Sequence, residues 1–184
     1  MAIVLASQSP RRQELLARIG VEDFKTLSLD IDESYPEGLS PEDTVRYIAK
    51  KKCDAAAALC APDDLIITAD TMVFLDNDRL GKPRDEEDAL RMLRELAGRG
   101  HTVCTGVSVR RGAQEERFAV STRVFFRPMT DDEIRAYIKT GEPMDKAGAY
   151  GVQSRGALFV ERIDGDFFNV MGLPVEQLGL VLAR

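Results

Sequence analysis

Within its first twelve residues, MAIVLASQSPRR, the chain switches from one backbone geometry to another. Ile3, Val4 and Leu5 are apolar and mostly β-branched, which suits a buried strand. Ser7-Gln8-Ser9-Pro10-Arg11-Arg12 follows at once, and QELLARI then continues with helical spacing. The expectation is strand, tight polar turn, helix. Pro10 fits the first helical position, where a missing N–H costs nothing, and Ser9 fits the cap before it. A helix start gathers unpaired N–H groups and partial positive charge, and so favours anions. Arg11 and Arg12 add forked donors that match phosphate. Two readings stay open on these residues: a phosphate site, or an ordinary capped helix with a solvated arginine pair.

Composition bounds the rest. A chain of 184 residues is one domain or a tight pair of lobes, and 44% hydrophobic content can bury a core. No apolar run approaches the roughly 18 residues that span a bilayer. The N-terminal apolar run is short and its charges follow it, unlike a signal peptide. Cys53, Cys60 and Cys104 are odd in number and scattered, and read as free thiols in a reducing cytosol. His101 is the only histidine, which excludes histidine-based metal sites. Net charge −6 argues against broad nucleic-acid binding, so any anion site must be a local basic pocket.

Helix and strand signals alternate along the chain without repeats. Ser40-Pro41-Glu42-Asp43 opens a helix running to about residue 59. Residues 65–69 read as a buried strand ending at Asp70, with 72–75 extended and a turn at 76–78. Residues 85–97 form a helix stopped by Gly98. Residues 102–109 and 117–126 look like a hairpin. Thr130 to Glu133 is a capping box for a helix ending at Gly141. Residues 145–156 are glycine-rich and irregular. Residues 157–163 and 167–171 suggest a second hairpin across Asp164-Gly165, and a short helix follows Pro174. This is α/β or α+β, one domain over 1–184 with a smaller lobe near 110–145.

Four further features carry chemistry. Val45, Ile48, Ala49 and Lys52 share one helical stripe, whereas Lys50 and Lys51 fall off it. Lys52 therefore points inward, either snorkelling out or meeting an anion. Asp70 follows a buried strand, where open α/β sheets place ligands. It can coordinate Mg2+, prepare a water, or simply cap a turn through Thr71. Glu33 is a second carboxylate candidate in an acidic loop. Gly81-Lys82-Pro83 permits close backbone approach at the glycine and stiffens the loop that carries Lys82. Residues 145–153, DKAGAYGVQ, are either a wall for a nucleobase or a connector.

Together these pieces resemble the Maf family. The matching segments are SxSPRR at 7–12, Glu33, AxxK at 49–52, ADT at 69–71, GKP at 81–83, GxxHxVxTG at 98–106, DKAGAYGxQ at 145–153 and GLP at 172–174. They occur in order and span nearly the whole chain. The resemblance implies a Maf/Ham1-like (ITPase-like) mixed twisted sheet flanked by helices, with two lobes around a central cleft. It also implies a nucleoside triphosphate pyrophosphatase releasing the monophosphate and pyrophosphate with a divalent cation, Mg2+ or Mn2+. House-cleaning of non-standard nucleotides and arrest of septum formation are linked to the family, and a homodimer is left open.

Carried over by position, the resemblance implies Asp70 as proton acceptor. It implies Ser7, Arg11, Glu33, Lys52 and Lys82 around the phosphates and metal, the metal falling on Glu33 and Asp70. Arg12, Thr71 and Gln153 match the branch acting on dTTP and UTP, in contrast to 7-methyl-GTP. Ser154-Arg155 stands where glycine usually follows the glutamine in the family, and so touches the base loop. Arg11, Arg12, Lys52 and Lys82, with the helix start behind Ser9, would balance a triphosphate. Attack of water on the α-phosphorus needs positioning and charge neutralisation more than covalent chemistry. The rivals are a non-catalytic nucleotide-sensing regulator of septum formation, and the same reaction on modified or purine nucleotides. Three substitution effects follow from the pattern: Lys50→Ala and Lys51→Ala are near neutral, and Lys52→Ala raises stability by relieving cation repulsion.

Overall fold

The computed structural model describes residues 1–184. Its elements, in order, are β1 (Ile3–Leu5), α1 (Pro10–Arg18), β2 (Phe24–Thr26), α2 (Pro41–Ala57), β3 (Leu65–Leu75), β4 (Asp78–Leu80), α3 (Glu86–Leu96), β5 (Gly100–Arg111), β6 (Gln114–Phe126), α4 (Asp131–Ile138), β7 (Val160–Asp164), α5 (Phe167–Met171) and α6 (Val175–Leu182). The strands form one mixed seven-stranded sheet in the order β2-β1-β3-β5-β6-β7, with β4 paired to β3. Strand β1 runs parallel to both neighbours, Ile3 lying opposite Phe24 and Leu65. β4 folds back antiparallel on β3, and β7 is antiparallel to β6 with an irregularity at Phe125/Phe126. No helix is long and apolar enough to cross a membrane.

The chain forms two compact units. The first comprises Met1–Thr71, Thr105–Val120 and Gly172–Arg184; the second comprises Met72–Cys104 and Ser121–Met171. In the first, α2 lays its apolar stripe on the sheet. Val45, Ile48, Ala49, Cys53 and Ala56 are all fully buried. Cys53 and Ala56 pack with Ala6, just after β1, and Ile66 from β3, and Leu27, Leu29 and Cys60 close over them. The three cysteines are free, two of them buried. Gly106 makes this contact tight: a Cβ there would lie 2.3 Å from the Val45 carbonyl carbon, so only glycine lets α2 come so near β5.

In the second unit an aromatic cluster fills the core. Phe126 meets Tyr150 edge-on at 4.7 Å and His101 at 5.0 Å, and Tyr137 meets Phe159 at 5.0 Å. Edge-to-face pairs of this kind add stabilisation beyond the area they bury. The capping box forms as expected, with Thr130 and Glu133 bonded reciprocally at the start of α4.

Two expectations need correction. Residues 65–75 are one uninterrupted strand, so Asp70 lies within β3 and not beyond its end. The second hairpin does not form. Val160–Asp164 pairs with β6 instead, and Phe167–Met171 is helical. The cause is Asp166, whose Oδ1 accepts from the N–H groups of Phe168 at 2.7 Å and Asn169 at 3.2 Å. That side chain caps a helix start and outweighs the strand preference of two phenylalanines.

Candidate active site

Strand β1 ends at Leu5 and releases the chain into the turn that carries Ser7. Ser9 occupies the N-cap position of α1 and Pro10 its first turn, yet the Ser9 hydroxyl makes no capping bond. Its own N–H donates instead to Ser7 Oγ at 3.2 Å. No acidic side chain sits in that first turn. The helix start thus keeps its positive end available, as an anion site requires.

Arg12 is held by three partners. Its Nε donates to the Gly172 carbonyl at 2.8 Å, one terminal nitrogen to Thr71 Oγ1 at 3.0 Å, and the other to Ser7 Oγ at 3.4 Å. Burial is the main influence lowering its pKa, and Arg11 acts in the same direction; Asp70 and Glu33 oppose them. Those four charged groups therefore share one electrostatic field. Thr71 Oγ1 also pairs with Thr105 Oγ1 at 2.9 Å. The Thr71 hydroxyl is thus engaged by Arg12 and Thr105.

Lys52 lies where its helical register puts it, with its side chain 14% exposed. Its Nζ is 2.7 Å from Asp70 Oδ1 and 2.9 Å from Glu33 Oε1. It meets anions, as one expectation held, but the anions are carboxylates of the chain itself. The relief of cation repulsion expected for Lys52→Ala therefore has no basis. Asp70 Oδ2 is buried and has no hydrogen-bond partner. An ionised oxygen left so is costly unless a ligand, a water or a cation completes it. Lys51 is not idle either. Its Nζ reaches Asp32 Oδ2 at 3.3 Å and the Ser34 carbonyl at 3.1 Å, bracketing Glu33 on both sides. Lys50 makes only a local pair with Asp54, one helical turn on.

The chemistry of this donor set suits a divalent cation that also touches substrate. No group of three or more histidine, cysteine, aspartate or glutamate side chains forms a closed cage. Two carboxylates remain, Glu33 and Asp70, one with an unpartnered oxygen. Mg2+ is commonly held by one or two carboxylates with substrate phosphates completing the shell.

Ser7, Ser9, Arg11, Arg12, Glu33, Lys52, Asp70 and Thr71 all belong to the first unit, and Lys82 and Gln153 to the second. Lys82 is exposed between β4 and α3. The glycine before it does not make the close approach expected, since a Cβ on Gly81 would meet nothing within 4 Å. Its carbonyl instead accepts from Gly148 N at 3.1 Å, tying the Lys82 loop to the 145–153 loop. In that loop the tight position is Gly148, with φ +71 and a Cβ path 2.9 Å from Val73. Gln153 is exposed. Thr105 and the Gly172 carbonyl, which hold Thr71 and Arg12, were not singled out from sequence. Both sit in segments that carried the resemblance, TG at 105–106 and GLP at 172–174.

Fold and site define an α/β protein with a carboxylate–cation cluster beside an open helix start. The chain belongs to the Maf family: the family model described as Maf-like protein matches residues 2–184. A dTTP/UTP pyrophosphatase of Bacillus velezensis is 49% identical over 94% of this chain and 90% of its own. One from Pelotomaculum thermopropionicum is 46% identical over 99% and 95%. Among solved structures, a HAM1 protein from Coxiella burnetii aligns over 100% of this chain and 99% of its own, with TM-score 0.57 at 14% identity. That likeness bears on the fold alone.

Proposed function

We propose that the chain is a nucleoside triphosphate pyrophosphatase acting on dTTP and UTP, releasing the monophosphate and pyrophosphate. Curated relatives of that name, nearly half identical over most of both chains, support this reading. The structural observation that carries it is Asp70. Lys52 fixes one carboxylate oxygen, and the other is buried without a hydrogen-bond partner. In this reading Asp70 orients a water toward the α-phosphorus and takes its proton. Arg11 and the start of α1 hold the phosphates, while Arg12 is a braced wall of the site, held by Gly172 and Thr71. Lys52 stabilises the charge that accumulates on the bridging oxygen as it leaves.

Glu33 and Asp70 are the residues that would hold a divalent cation; when bound, it supplies Lewis-acid neutralisation of the triphosphate. The buried free thiols and the net charge of −6 support a cytosolic enzyme that acts on free nucleotide and not on nucleic acid.

The test is pyrophosphate release from dTTP, UTP, CTP, GTP and 7-methyl-GTP, with Asp70→Asn alongside. UTP and dTTP are expected to lead, and Asp70→Asn to lower kcat by about 10²-fold or more. Tight UTP binding without pyrophosphate release would leave a nucleotide-sensing regulator. Near-normal turnover by Asp70→Asn would remove that residue from its role.

A further inference from the structure

Thr68 stands on β3 two residues before Asp70, and Ala49 stands on α2 three residues before Lys52. Alternate residues of a strand share a face, and so do helical residues three apart. Thr68 and Ala49 therefore form the rung next to the Asp70–Lys52 pair, whose charged atoms meet at 2.7 Å. That rung is bonded as well: the Thr68 hydroxyl donates to the Ala49 carbonyl at 2.7 Å. Thr68 and Ala49 are both fully buried. None of the sequence motifs includes Thr68. All four residues belong to the first unit.

We propose that Thr68 is a positioning residue for the reaction: its hydroxyl sets the height of α2 over β3, and so holds Lys52 and Asp70 in the geometry that orients the attacking water. The inference rests on the reading of Asp70 given above.

The packing around this bond cannot fix that height by itself. Cys53 and Ala56 meet Ile66 through apolar atoms, and apolar packing has no preferred direction. A hydrogen bond has a preferred length and angle. Strand propensity does not call for a hydroxyl at position 68 either, since valine has the same branched shape and suits a buried strand at least as well. What the hydroxyl adds is the bond to α2. Lys52 follows Ala49 by one turn. Helical side chains lean toward the N-terminus of their helix, so the stem of Lys52 runs back along the Ala49 turn on its way to Asp70. A displacement of α2 at Ala49 thus reaches the ammonium directly. Asp70 feels it in turn, because Lys52 holds one of its oxygens and the other is buried with no partner.

The experiment compares Thr68→Val, which keeps the shape without the hydroxyl, with Thr68→Ser, which keeps the hydroxyl. Wild type, Asp70→Asn and Lys52→Met are measured alongside, and Thr68→Val is repeated in the Lys52→Met background. For each protein kcat and KM for UTP are determined, together with the melting temperature. Thr68→Val is expected to lower kcat roughly tenfold, short of the about 10²-fold that a misplacement of an ångström can cost. KM should stay close to wild type, because Arg11 and the start of α1 do not hang on α2. Thr68→Ser should recover most of the lost kcat. In the Lys52→Met background Thr68→Val should hardly change kcat, since the pair it acts through is gone. Should Thr68→Val not fold, Thr68→Cys, with a much weaker donor in the same place, carries the comparison. A wild-type kcat in the folded variant, an equal loss in Thr68→Ser, or an undiminished loss in the Lys52→Met background overturns the proposal and leaves the bond structural. Normal turnover by both Asp70→Asn and Lys52→Met overturns the reading of the site first, and the proposal with it.

Discussion

Lys50, Lys51 and Lys52 follow one another on α2, turned about 100° apart, so their side chains leave the helix in three directions. Lys50 reaches one turn along the helix to Asp54, Lys51 crosses to the loop at 32–34, and Lys52 points into the site. The consequences of removal differ in size and kind. Lys52→Met strands Asp70, whose side chain is 9% exposed, and Glu33, which is 57% exposed. Breaking a buried pair from one side typically costs about 3–5 kcal/mol, and the exposed Glu33 adds little. The melting temperature should fall, and the double variant Lys52→Met/Asp70→Asn should recover part of it. A Lys52→Met protein more stable than wild type would contradict the pairing. Lys50→Ala should stay within about 0.5 kcal/mol of wild type. Lys51→Ala should leave kcat near wild type and raise KM for metal–nucleotide, because Glu33 loses its brackets at Asp32 and Ser34. Equal kinetics for the Lys50 and Lys51 variants would sink that distinction. The inward direction of Lys52 was legible from the stripe of Val45, Ile48 and Ala49. Its partners were not, since they come from a loop and a strand that helical periodicity says nothing about.

At the scale of elements, the helix starts separate two uses of the same cap chemistry. Ser40 and Thr130 accept from backbone N–H groups of α2 and α4, and close those ends. Ser9 holds the matching position on α1 without such a bond. Thr130→Ala should therefore cost about 1 kcal/mol of stability, the ordinary value of a cap. Ser9→Ala should leave the melting temperature of the free protein nearly unchanged, and should weaken its upward shift on adding UTP. A Ser9→Ala loss equal to that of Thr130→Ala would mean that α1 is capped like the others. Pro10 and Ser9 located this helix start in the sequence, but nothing local distinguished a cap in use from one held open. Asp166 is the reverse case. A single side chain turned Phe167–Met171 into a helix, where aromatic residues after Asp164-Gly165 favoured a returning strand. β2, only three residues long at Phe24–Thr26, carried too little pattern to be found at all.

Over the whole molecule, acid stability should pass through two successive, overlapping windows. His101 is 1% exposed, and burial, with Arg123 nearby, lowers its pKa from 6.5 to about 3. The folded protein keeps this ring neutral while the unfolded chain protonates it below about 6.5. The unfolded state then binds the extra proton, so this contribution to stability is complete above pH 6.5 and drains away toward pH 3. Asp88 and Glu133 act lower down. Both are depressed from the ordinary carboxylate range to about 2, chiefly by hydrogen bonds at helix starts and from arginines. Their contribution is present above about pH 4 and is lost as pH falls from there to 2. Between pH 6.5 and 4 the histidine is thus the main titrating group among the three. One proton corresponds to a slope of at most about 1.4 kcal/mol per pH unit in that interval. His101→Gln keeps a polar partner for the Tyr150 hydroxyl and removes the titration. The variant is expected to be less stable than wild type at pH 7.5, with the gap narrowing steadily down to pH 4 as wild type loses stability faster. Denaturant midpoints measured at half-unit steps would show this convergence. Curves that run parallel from pH 7.5 to 4 would mean that His101 is protonated as readily in the folded protein as in the unfolded chain, and that its burial against Phe126 and Tyr150 does not persist in solution.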